Sequence, residues 1–120
     1  MSAPVVDKAL AYHERFDRRL RSELRALATD AVLEEHRMNP SGARGTQSEA
    51  LRRLLNYFRR APQAGKYVVV AVRSFEEYKI GVLSGVRGVA PTVLEAPAFA
   101  SEADALHGVF EARVRDLRES

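Results

Sequence analysis

The three histidines are the residues in this sequence best suited to chemistry, and their spacing limits what they could do. His13, His36 and His107 fall in three separate stretches of helical pattern, and none belongs to a His-Glu-x-x-His or comparable ligand pair. His107 has Asp104 three residues before it and Glu111 four residues after it, so all three could share one helix face. Such a face could offer oxygen and nitrogen ligands to a metal, and it is equally the pattern of a solvated acidic helix. Glycines 81, 85 and 88 in "GVLSGVRG" have neither the GxGxxG spacing nor the Lys-Ser/Thr of a phosphate loop, which leaves a turn. Ser74 and Ser84 flank strand patterns without a nucleophile-elbow context. Cysteine is absent. That removes disulfides, thiolate zinc ligation and a thiol nucleophile, and it fits a reducing compartment. These residues do not compose a self-contained catalytic set.

Charge is the second candidate for function. The net charge is only +3, from 19 basic and 16 acidic residues, but it is unevenly placed. Arg44, Arg52, Arg53, Arg59 and Arg60 are opposed only by Glu49 between positions 44 and 60. At the C-terminal end Glu102, Asp104, Glu111, Asp116 and Glu119 outnumber Arg113, Arg115 and Arg118. Patches of opposite sign suit oriented docking on a partner. Arg52, Arg53, Arg59 and Arg60 with Tyr57 could contact phosphates and stack a base. The same residues could anchor a protein interface or form a solvated helix face. No recognised nucleic-acid motif is present, which puts protein docking ahead of nucleic acid.

The elements that position these residues follow from periodicity. The 120 residues form one domain by length. Residues 4 to about 28 read as a long helix, with Pro4 in its first turn and Val6, Leu10, Phe16, Leu20, Leu24 and Leu27 at roughly helical spacing. A short helix covers Asp30 to Arg37, with Asp30 as a possible N-cap. "MNPSGARG" breaks it. Thr46, with Glu49 three residues on, has capping-box spacing. Leu51, Leu54, Leu55 and Phe58 then make an apolar stripe, and Pro62 stops the helix.

"KYVVVAVR" is strand by its β-branched content, and its two apolar faces suggest an interior strand. "YKIGVLS" alternates and pairs with it antiparallel, and "TVLE" reads as a third, edge strand. Ser101 caps a last helix, with Asp104 at the third helical position and a seam of Ala103, Leu106, Phe110, Val114 and Leu117. The fold class expected is α+β, three to four helices on a small antiparallel sheet of two or three strands. The N-terminus lacks a signal-peptide core and no stretch approaches the roughly 20 apolar residues of a membrane span, so the expectation is a soluble, cytoplasmic protein.

Three blocks in order, "VLEEHRMNPSG" (32–42), "LRRLLNYFRRAPQAGKY" (51–67) and "FASEADALHGVFEARVRDLR" (99–118), resemble the small (alpha) subunit of N,N-dimethylformamidase. "SFEEYKIG" looks like that family's strand-turn-strand. The resemblance implies a non-catalytic chain that assembles with and stabilises a large catalytic subunit. It implies that the large chain, not this one, holds a mononuclear iron centre, which hydrolyses N-substituted formamides to formate and amine by Lewis-acid activation of water or carbonyl. On that footing Asn56, Tyr57, Arg59 and Tyr67 are candidate docking residues, with Glu34, Glu35, His36 and Asn39 supporting the turn or the contact. Tyr57, Phe58 and Tyr67 could instead be plain core. Two other functions stay open: a small basic nucleic-acid-binding module, and an orphan homo-oligomeric relative with no enzymatic partner.

Overall fold

The computed structural model describes residues 8–119, with side chains from residue 15 onward. Pro4, Val6 and the side chains of Leu10 and His13 lie outside the described residues. The order is α1 (Lys8–Leu27), α2 (Asp30–Met38), α3 (Glu49–Arg59), β1 (Tyr67–Arg73), β2 (Glu77–Val82), β3 (Thr92–Val93) and α4 (Glu102–Glu119). Four helices pack with a three-stranded antiparallel sheet, an α+β arrangement, and α4 is the helix that lies against the strands. One core joins all four helices, with Leu24 of α1, Val32 of α2, Leu51, Leu54 and Phe58 of α3, and Phe110, Val114 and Leu117 of α4 buried together. The Leu51/Leu54/Phe58 spacing is what turns α3 inward, with Leu55 packed against the same cluster. On α1 the stripe is narrower than its periodicity suggests, because Phe16 is 58% exposed. On α4 Ala103 is exposed while Ala105, Gly108, Val109 and Ala112 are buried. The small residues bring α4 close to the sheet, and a methyl at Gly108 would lie 2.6 Å from the Phe99 ring.

Helix starts differ from the expected ones for a reason of backbone geometry. Thr29, extended at φ −94 and ψ 165, caps α2 by accepting from the Val32 amide at 3.3 Å. Asp30 is already inside the first turn, where its charge suits the helix N-terminus and Arg118 of α4 approaches it at 3.6 Å. Arg118 also donates to the Ala28 carbonyl, tying the end of α4 to the α1–α2 junction. Ser48, not Thr46, caps α3, accepting from the Leu51 amide at 3.2 Å. The carboxylate that completes this cap comes from another helix. Glu35 of α2 accepts from the Ser48 amide at 2.7 Å and from its hydroxyl at 2.6 Å. Glu35→Ala is therefore expected to cost about 1–2 kcal/mol, measured as a lower urea midpoint, whereas Glu49→Ala changes stability by less than about 0.5 kcal/mol.

The sheet order is β1-β2-β3, so β1 is an edge and β2 is central. The expected interior position of β1 is corrected by the chain's path, since the loop after β2 brings β3 back to the other side of β2. Both faces of β1 are apolar, yet only one of them is covered by a helix. Its pairing with β2 runs from Tyr67↔Val82 to Ala71↔Tyr78, with a bulge before Arg73↔Glu77. Gly42 at φ 75 and Gly45 at φ 123 make the turn after α2 possible.

Candidate functional site

Two of the three histidines meet. His36 comes from the last turn of α2 and His107 from the second turn of α4, and their Nδ1 atoms are 2.9 Å apart. One Nδ1 must carry the hydrogen and the other accept it, so the bond needs one proton between them. His36 is 3% exposed, the one buried polar side chain among the described residues. It stacks on Phe110, centroids 4.1 Å apart at 14°, and against His107 at 5.2 Å and 25°. Burial pushes the His36 pKa down to about 4, and the neighbouring His107 and Arg113 push the same way. His107 turns Nε2 toward Glu111, 3.6 Å away. Nothing in the sequence marks these positions, 71 residues apart, as partners.

The metal reading of Asp104, His107 and Glu111 gains no support from this geometry. His107 spends Nδ1 on His36, and no three His, Cys, Asp or Glu side chains among the described residues are placed to hold a metal ion. Asp104 sits at the start of α4, where its amide donates to the Ser101 hydroxyl at 3.1 Å, and its charge acts on Arg37 of α2.

The candidate docking residues fall in three places. On α2 and the turn after it, exposed Glu34 is held by Arg37, which keeps its carboxyl below the usual range. Glu35 caps α3, and Asn39 Oδ1 accepts from the Arg44 amide at 3.0 Å. Within α3, Asn56 and Arg59 are exposed and joined at 3.5 Å. Tyr57 is half-buried edge-on to Phe58, in a groove with Leu20 of α1 and Arg60. Its hydroxyl pKa is raised by burial and then by the charge of Asp17. Tyr67 points at α4, donating to Asp116 Oδ2 at 2.6 Å and accepting from Arg115 at 3.2 Å. The bond to Asp116, more than burial, raises the Tyr67 pKa. Arg113 closes the set by donating to the Tyr67 carbonyl at 2.9 Å.

The N,N-dimethylformamidase alpha subunit family matches residues 11–120. The chain belongs to that family. The alpha subunit of N,N-dimethylformamidase from Paracoccus aminophilus is 36% identical over 114 residues, covering 93% of this chain and 79% of the relative. The alpha subunit from an Alcaligenes species is 33% identical over 114 residues, covering 93% and 85%. The match to the dimethylformamidase alpha family spans all four helices and the sheet. Of the basic arc of this alpha-family chain, Arg53 has an acidic neighbour in Glu23 of α1 at 3.8 Å, while Arg59 donates to the uncharged Asn56 side chain and keeps its charge.

Proposed function

We propose that this chain is the non-catalytic small subunit of an N,N-dimethylformamidase-like amidohydrolase, a cytoplasmic complex in which it assembles with and stabilises a large chain. The large chain carries the iron and hydrolyses N-substituted formamides to formate and amine. The observation that carries this reading is the family match over residues 11–120. The donor set supports it from the other side. The imidazoles of His36 and His107 occupy each other's Nδ1, and Glu111 reaches only the outer nitrogen of His107. This set does not fit a mononuclear iron centre, so no step of the hydrolysis is assigned to this chain. No helix of the described residues is long and apolar enough to cross a membrane.

The nucleic-acid reading has less behind it, because the family match points to an enzyme subunit and Glu23 already stands beside Arg53 of the arc. For the contact itself the sequence offers the polar face of α3 with Asn56, Tyr57 and Arg59. A stabilising subunit has a measurable effect on its partner. The large chain, heated with this chain in excess, should inactivate about tenfold more slowly or better than alone, followed as formate released from N,N-dimethylformamide. Equal half-lives with and without this chain would contradict the stabilising role.

A further inference from the structure

Helix α2 is held differently at its two ends. Near its start Arg118 of α4 donates to the Ala28 carbonyl and stands 3.6 Å from Asp30. Val32, one turn in, is buried in the shared core with Leu51, Leu54 and Phe110. The last turn, Glu35 to Met38, puts no apolar side chain into that core, and Met38 is 57% exposed. Two side chains hold this turn. The His36 ring bonds His107 and stacks on Phe110, and the Glu35 carboxylate holds the Ser48 amide and hydroxyl at the start of α3. A nine-residue helix is too short to persist in water by itself, so a last turn that leaves α4 unwinds.

The hydrogen count of the imidazole pair separates two acid steps. With both rings neutral, one Nδ1–H spans the 2.9 Å gap. One added proton leaves that bond intact. His107 then carries a hydrogen on each nitrogen, Nδ1 donating to His36 and Nε2 turned to Glu111 at 3.6 Å, while His36 keeps its single hydrogen on Nε2. The next proton falls on His36 Nδ1, where it opposes the Nδ1–H of His107 across the same gap. Burial opposes charge on His36 most strongly, followed by His107 and Arg113 of α4, while Glu35 of α2 favours it. Glu34 of α2 and Glu111 of α4 stand on the His107 side, and α3 meets the last turn of α2 through Ser48.

We propose that the His36–His107 bond is a proton-operated latch on the end of α2. The second added proton detaches the last turn from α4, unwinds it and takes Glu35 off Ser48, while the core of α1, α3 and α4 stays closed. The hinge is the α1–α2 junction that Arg118 clamps. The latch is a property of this chain alone and does not rest on the small-subunit reading.

Amide hydrogen exchange of the full chain, followed residue by residue by NMR and corrected for the intrinsic effect of pH, tests it. At each pH the amides of residues 36 to 39 and of Ser48 are expected to open about tenfold more often than those of Leu54 and Val114. From about pH 7 to about pH 4.5 their opening should rise roughly fiftyfold in the parent chain and less than about fivefold in His36→Phe. Equal protection of these amides and the core at every pH would mean that the molecule opens only as a whole, and overturns the latch. A separate opening with no acid response, or one whose response survives His36→Phe, overturns it as well. The parent chain alone decides whether the segment opens separately and in acid, whether or not the variant folds.

Discussion

Phe110→Ala is expected to lower stability by about 3–5 kcal/mol, a large part of the roughly 5–15 kcal/mol that holds a domain folded. Phe110 is 2% exposed and stands where the helices meet. One side of its ring stacks on His36 at 4.1 Å, and Phe58 of α3 meets it edge-on at 6.0 Å and 76°. Truncation opens a cavity at the centre of the core and removes the apolar cover from an imidazole. Urea unfolding should therefore give a much lower midpoint. A second readout separates this from general loosening, because water reaching His36 raises its pKa from about 4 toward the ordinary 6.5. A large loss of stability with an unmoved His36 titration would contradict the packing described.

His36 itself sets the second large effect, a loss of stability in mild acid. Its pKa is about 4 when folded and 6.5 in the reference state. Between those values the unfolded chain binds the proton that the folded chain refuses. The stability tied to neutral His36 is therefore fully present above about pH 6.5 and falls as pH drops toward 4. The span corresponds to about 3 kcal/mol. Geometry gives the same direction, since a second proton on the pair would set two N–H groups against each other across 2.9 Å. The groups around the pair act in both directions. Glu35 on α2 favours the charged form of His36 and Arg113 on α4 disfavours it, while Glu111 lies against His107 and Glu34 is close enough to feel its charge. His36→Phe keeps a flat ring against Phe110 and should flatten the stability curve between pH 6.5 and 4. An unchanged slope in that variant would show that other groups carry the acid sensitivity.

What the sequence made legible was local. The Leu51, Leu54 and Phe58 spacing, the stop at Pro62, the Ser101 cap and the antiparallel pairing of residues 67–73 with 77–82 are each written in a few neighbouring residues. Helix starts were less legible because two residues of capping type lie within two positions of each other and compete. Backbone ψ, fixed by packing, chose Thr29 over Asp30 and Ser48 over Thr46. The help that Glu35 gives Ser48, 13 residues away, depends on how α2 lies on α3.

A run of valines announces β1 as a strand with two apolar faces, but it does not say whether a second strand, a helix or a partner covers each side. That ambiguity made an edge strand resemble an interior one. The His36–His107 pair was hidden for a related reason, as the two residues meet only once α2 and α4 pack. Asn56 and Arg59 were legible as an exposed face, whereas the bonds of Tyr67 to α4 were not.

The central claim is that this chain is a subunit of a formamide-hydrolysing enzyme, and purification through a tag on this chain from its native cells tests it most directly. The account predicts that a large chain co-elutes, that the eluate contains iron, and that it releases formate from N,N-dimethylformamide. An eluate of this chain alone, or with nucleic acid that high salt removes, and without formate release, would contradict it.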